Sequence, residues 1–214
     1  HQDSIESLLI LPHHQSQLEQ LEQLEQIQTE NFSIYLLTTE LFNQLNPFGT
    51  KGPLFIVRQP EITFWNQQLP AQSLEVFSAL GDPANLGALL RCCEAFSVSS
   101  VILLKESAHP FHPKSVRSSS GSCFRVKMQW GPSINEDLGY HLSLDKSGKA
   151  LPQFSWPNHC RLLLGEEGLG LPSLKKKEAG LLQIPITPSM DSLNAVSAAS
   201  IALFHYRLQH PLAP

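Results

Sequence analysis

Ile184-Pro185-Ile186-Thr187-Pro188-Ser189-Met190-Asp191-Ser192-Leu193-Asn194-Ala195-Val196-Ser197-Ala198-Ala199 is where the chain changes character. The preceding Leu181 and Leu182, with Ile184, read as the apolar end of a strand. Prolines at 185 and 188 remove two backbone donors and fix φ, so a stiff loop follows rather than a helical turn. A small-residue helix is expected next, over 192–208. Asp191 or Ser192 would serve as its N-cap, with Leu193, Val196, Ser200 and Leu203 along one face. Ala195, Ala198, Ala199 and Ala202 leave the other side thin, a surface that another backbone can approach closely. Taken alone, a stiff loop ahead of a helix is a place where a ligand can sit, and no more.

Two earlier stretches give it context. Arg161-Leu162-Leu163-Leu164-Gly165-Glu166-Glu167-Gly168-Leu169-Gly170-Leu171-Pro172 reads as a buried strand breaking into a glycine-rich loop. It lacks both the dinucleotide-binding glycine order and the Lys-Ser/Thr of a phosphate loop, so its glycines serve close backbone contact with a ligand instead. Gly81-Asp82-Pro83-Ala84-Asn85-Leu86-Gly87-Ala88-Leu89-Leu90-Arg91 reads as a turn entering a helix, with Asn85 near the helix N-terminus and Arg91 one turn beyond Gly87. On its own, Asn85 is a capping residue and Arg91 a surface cation.

In this order the three stretches resemble the motifs of the SpoU/TrmH branch of the SPOUT methyltransferases, over roughly Leu74 to Leu208. The resemblance implies an α/β fold: a mostly parallel sheet with a C-terminal trefoil knot. It also implies binding of S-adenosylmethionine and methylation of ribose 2′-hydroxyls in tRNA or rRNA. On this resemblance Leu163, Leu164, Gly165, Gly170, Ile184, Ile186, Ser192 and Leu193 are expected to form the cofactor site. Asn85, Arg91, Glu167, Ser192 and Asn194 match the family's catalytic positions, with Glu167 orienting Arg91 or Asn85. Arg117-Ser118-Ser119-Ser120-Gly121 resembles the family's Ser-x-Gly segment, so Arg117, Ser119 and Gly121, together with Arg91, are expected to meet substrate; a plain serine-rich turn is the alternative. Many relatives have a Val-Ser pair where this chain has Ala195-Val196.

A guanidinium rarely gives up its proton, so Arg91 as a general base would be costly. It can instead hold an RNA phosphate with its planar fork and stabilise a developing alkoxide. No metal is expected, because the histidines show no ligand spacing.

The composition allows this reading without demanding it. The chain has 214 residues, 42% apolar and 16% charged, which is enough for an ordinary core and argues against disorder. A net charge of −4 speaks against a broadly basic, nucleic-acid-coating protein but leaves room for a local basic patch. Cys92, Cys93, Cys123 and Cys160 form no CxxC pair and read as reduced core residues of a cytoplasmic protein. No apolar run reaches the ~18 residues of a membrane span.

Three segments are expected: residues 1–60, a linker at 61–72, and 73–214 as the methyltransferase domain. In the first, strands at Leu8–Leu11, Phe32–Leu37 and Leu54–Val57 alternate with a helix over 17–27 and a short one capped by Thr39. The Leu/Glu/Gln repeat of 17–27 has period three, so its apolar stripe drifts and suits a surface helix better than a coiled coil. This order resembles the latter part of an L30e-like substrate-binding domain. With His1 in place of Met, that domain is expected to be partial at its start. From Leu74 strands and helices alternate, which predicts a parallel sheet with helices on both faces. A homodimer is expected from the family and from the alanine-rich last helix. Two other functions fit the same residues: a non-catalytic RNA-binding protein that kept the fold, and a base-directed methyltransferase, against which the Asn85-to-Arg91 motif speaks.

Overall fold

The computed structural model describes residues 5–23, 32–165 and 179–212. The chain forms two compact units, His1–Pro60 and Glu61–Pro214.

The first unit runs β1 (Ile5–Ile10), α1 (Gln15–Gln23), β2 (Ser33–Leu36), α2 (Thr39–Leu45) and β3 (Leu54–Val57). Its sheet has the order β2-β1-β3, with β2 parallel and β3 antiparallel to β1. Leu8, Ile10 and Leu18 bury together against Phe32. Thr38, not Thr39, caps α2, because its hydroxyl accepts from the Leu41 amide.

The second unit contains β4 (Thr63–Phe64), β5 (Leu74–Ser78), α3 (Pro83–Ala95), β6 (Ser100–Leu103), α4 (Pro113–Ser119), β7 (Met128–Trp130), β8 (Leu142–Ala150), β9 (Cys160–Leu164), β10 (Gly180–Gln183) and α5 (Ala195–Gln209). The strand order is β10-β8-β9-β5-β6-β7-β4, and every pairing is parallel. Residues 61–72, expected as a linker, instead supply the edge strand β4. That segment is pinned by Arg161, which bonds the buried Glu75 at 3.0 Å, donates to the Leu69 carbonyl and lies 5.1 Å from the Trp65 ring.

Alternation along the strands divides the core. Leu74, Val76, Val101, Leu103, Leu162 and Leu164 face α3 and α5. Phe77, Ile102 and Leu163 face the other way, onto Ile134, Leu138 and Trp65. Among the described residues, therefore, the helices packed on the sheet share one face, rather than covering both. Ala199 and Ala202 of α5 are wholly buried within this chain. Of the thin side, Ala199 and Ala202 are thus spent on internal packing while Ala195 and Ala198 line a cleft, and Ile201, Phe204 and Leu208 are the large apolar residues of the helix left exposed. Burial pushes the Cys93 and Cys160 thiols up, the latter to about 12, as suits inert core residues.

Helix α3 starts where Asp82 accepts from the Asn85 amide at 2.8 Å and Pro83 occupies the first turn. Its end is held by Arg207 of α5, which donates to the carbonyls of Phe96 and Ser97. Gly87 lets α3 meet α4: a Cβ there would collide with the Ser118 hydroxyl and the Ser115 carbonyl and lie 2.9 Å from the Ser115 Cα. Beyond α4 the chain turns through Ser120 (φ 49°) and Gly121 (φ 83°), which delays the strand expected at 124–128 to Met128.

Glu94 of α3 clamps that turn. It accepts from the Arg125 guanidinium and the Ser122 hydroxyl, and Arg125 in turn donates to the Ser120 carbonyl. The Arg125 bonds, then that of Ser122, hold the Glu94 carboxyl down at about 2, against an ordinary 4.5.

Replacing Gly87 with Ala should lower stability by about 2–3 kcal/mol through overpacking, read as a reduced denaturation midpoint. A depressed carboxyl stabilises the fold above its ordinary value and loses that effect as pH falls through the folded one. The difference in Tm between wild type and Glu94→Gln should therefore be full above pH 4.5 and close towards pH 2.

Candidate active site

The parallel strands of the second unit end at a common edge, and a cleft of about 800 Å³ opens there. Leu163, Leu164 and Gly165 bring in the end of β9, Gln183 and Ile184 the end of β10, and Asn85 the start of α3. The loop before α5 supplies Ile186, Thr187, Pro188, Met190, Asp191, Ser192, Leu193 and Asn194. Within it the Met190 amide donates to the Thr187 carbonyl at 3.0 Å, closing a turn after Pro185 and before Ser192. Ile186 and Met190 stay exposed, 37% and 55%, so the mouth of the cleft carries apolar side chains held out of the core.

Asn194 caps α5: its side-chain oxygen accepts from the amides of Val196 at 2.9 Å and Ser197 at 3.3 Å. The helix accordingly starts at Ala195, three residues later than expected, and neither Asp191 nor Ser192 caps it. Asn194 reaches two amides of the first turn, which leaves Asp191, Ser192 and Leu193 on the cleft wall.

The structure thus gathers nine of the expected site residues at one place: Asn85, Leu163, Leu164, Gly165, Ile184, Ile186, Ser192, Leu193 and Asn194. Glu167 and Gly170 lie outside the described residues. Arg91 does not line the cleft. Six residues beyond Asn85 on α3, it is about 9 Å along and about 120° round the helix. Its guanidinium donates to the Ser120 hydroxyl at 3.2 Å, on the turn that Glu94 and Arg125 clamp. Arg117 is exposed on α4 beside this turn, and Gly121 forms it.

Ser119 departs from expectation. It is wholly buried, donates to the Val116 carbonyl at 2.9 Å and accepts from the Cys123 amide, so it shapes the turn and presents nothing to a substrate.

Sequence reading missed Leu144, Asp145 and Lys146, which also line the cleft. The strand expected at 140–144 runs on to Ala150, with these residues displaced from its ladder. The turn-forming run Asp145-Lys146-Ser147-Gly148 was the available signal. Ser120, Glu94 and Arg125 were missed as well, because the contacts of Ser120 with Arg91 and of Glu94 with Ser122 and Arg125 join residues 28 to 31 positions apart.

Comparison with known proteins places these features in context. A model of the SpoU rRNA Methylase family matches residues 75–204. A protein of Syntrophobacter fumaroxidans named ribosomal RNA small subunit methyltransferase G 2 is 39% identical over 179 residues, covering 81% of this chain but 35% of that protein. The chain therefore spans about a third of that relative's length. The 23S rRNA (guanosine(2553)-2′-O)-methyltransferase RlmP of Bacillus subtilis is 26% identical over 183 residues, covering 81% of this chain and 72% of the relative. Among solved structures, the SpoU methyltransferase AviRb of Streptomyces viridochromogenes, in complex with AdoMet, superposes with a TM-score of 0.77 at 22% identity, covering 96% of this chain and 83% of that one. The matched segment takes in α3, β8, β9, β10 and most of α5, the elements that build the cleft, and the chain belongs to the SpoU rRNA methylase family.

Proposed function

We propose that this protein is an S-adenosylmethionine-dependent RNA methyltransferase that acts on a ribose 2′-hydroxyl of tRNA or rRNA. The observation that carries the reading is the convergence of three motifs, far apart in the chain, on one cleft. The cleft fits the cofactor. Its volume is that of a small-molecule site, Leu163, Leu164, Ile184, Ile186 and Leu193 offer an apolar wall for an adenine ring, and Asn85, Ser192 and Asn194 set polar groups beside it. When bound there, the cofactor supplies a methyl group made electrophilic by its sulfonium.

The protein's own part is to position an oxygen and support the charge that grows on it. Arg91 is the group for that task. The Ser120 hydroxyl and the clamp behind it hold its planar fork at the surface, where a phosphate and a 2′-oxygen can reach it. Arg91 and Arg117 lie outside the cleft, so we assign them to RNA, and Asn85 to the reacting end of the cleft.

Two copies form the working unit in this reading. An arginine turned away from its own cleft can serve catalysis where a second chain brings a cleft to it. The exposed Ile201, Phe204 and Leu208 of α5 follow helical spacing, and supply an apolar face for that pairing. The C-terminal trefoil knot, an L30e-like identity for the first unit, and a cytoplasmic location belong to the same proposal; likeness to SpoU structures supports the first. Among the described residues no helix is long and apolar enough to cross a membrane, and no cluster of His, Cys, Asp and Glu could hold a metal ion.

Arg91→Ala should abolish methyl transfer while leaving the Kd for S-adenosylhomocysteine, measured by calorimetry, within about twofold. Loss of product binding in that variant would place Arg91 in the cofactor site instead. Wild-type protein should have a solution mass near twice 23.8 kDa, and Phe204→Glu should halve it and suppress transfer.

A further inference from the structure

Strand β8 carries a break that the sheet does not need. Ser143 pairs with Leu181, yet the next residue of β10, Leu182, pairs with Lys149, so residues 144–148 are excluded from the ladder. The excluded segment is closed on itself, because Asp145 accepts from the Ser147 amide at 2.9 Å and from the Ser147 hydroxyl at 2.6 Å. Gly148 returns it to the sheet: a Cβ there would lie 2.5 Å from the Leu181 carbonyl carbon and the Leu182 nitrogen. A strand interrupted so tightly is held in one shape, and that shape puts Leu144, Asp145 and Lys146 on the wall of the cleft.

Lys146 is the one cation among the described residues that line the cleft. Its ammonium lies 4.0 Å from the Asp191 carboxylate, linking the break in β8 to the loop that enters α5. Both side chains are almost fully solvated, 79% and 103% exposed, so the pair binds itself weakly and either member can exchange partner at little cost. A cation and an anion loosely paired on the wall of the cleft, beside its apolar side chains, match a zwitterion.

Resting on the cofactor reading above, we propose that Lys146 and Asp191 form the subsite for the amino-acid end of the ligand. Lys146 takes its carboxylate and Asp191 its ammonium, while the apolar wall takes the adenosine. The pair parts to clasp the ligand's two opposite charges, so each side chain trades one ionic partner for another. These two residues would then set selectivity for ligands that carry the amino acid over adenosine thioethers that do not.

Two ligands separate the parts of the claim: S-adenosylhomocysteine, and 5′-methylthioadenosine, which has the same nucleoside and thioether without the amino acid. Calorimetric titration of wild type, Lys146→Met and Asp191→Asn with both ligands is the test. Each variant should bind S-adenosylhomocysteine at least about fivefold more weakly and 5′-methylthioadenosine within about twofold of wild type. Equal losses for both ligands, or no loss for S-adenosylhomocysteine, would overturn the subsite while leaving the cofactor reading intact. Wild-type protein that binds neither ligand would overturn the cofactor reading, and the subsite with it. Both side chains are solvated, so the variants are expected to fold, and circular dichroism spectra matching wild type establish that the comparison is one of binding.

Discussion

Parallel pairing throughout the larger sheet is the constraint on which the rest depends. Because β5, β9 and β6 run the same way in register, Ser78 stands beside both Leu164 and Leu103, and three strands finish at one edge. Backbone leaving that edge must turn, and the turns are where side chains and peptide groups escape the ladder. The cleft is built from those turns: Asn85 after β5, Gly165 after β9, and the proline loop after β10. The interior strands are buried on both faces, so this edge is held by a core of Leu, Val, Ile and Phe from either side.

Helix α3 connects two surfaces of different character. Its first turn delivers Asn85 to a cleft whose apolar wall and polar groups suit a small ligand. Its middle is pressed against α4 through Gly87, and its later turns carry Arg91 and Glu94 to a polar corner. Rotation along the helix alone separates the two, since residues six apart cannot share a face. In the proposed reading, with the cofactor in the cleft and Arg91 on the RNA, the two sit on different sides of one rigid rod, so ligand affinity and the chemical step should respond to different substitutions. The Glu94–Arg125 pair belongs to the second side: it fixes the left-handed corner whose Ser120 hydroxyl receives Arg91.

Much of this was legible from local sequence. The end of β9 at Leu164, the stiff loop after β10 and the turn into α3 are each written in a few neighbouring residues: an apolar run, two prolines, an Asp-Pro step. The cap of α5 was misplaced because Asp191, Ser192 and Asn194 are all competent caps, and only the folded backbone shows that Asn194 is the one whose side chain reaches the first-turn amides. Other features depend on partners distant in sequence. The break in β8 exists only as a mismatch with β10, the burial of Ser119 only as packing of α4 on α3, and the edge strand β4 only because Met128–Trp130 accepts it. Periodicity reports which face of an element is apolar. It does not report what lies against that face, which is why the alanines of α5 suggested an interface while the structure uses Ala199 and Ala202 as core and Ala195 and Ala198 as cleft wall.

The identity of the methylated atom is the most direct test. Wild-type protein incubated with unmodified ribosomal and transfer RNA and methyl-labelled S-adenosylmethionine can be followed by digestion to nucleosides and mass spectrometry. Label should appear in 2′-O-methylnucleosides and disappear with Arg91→Ala. Label confined to base-methylated nucleosides would contradict a ribose-directed enzyme.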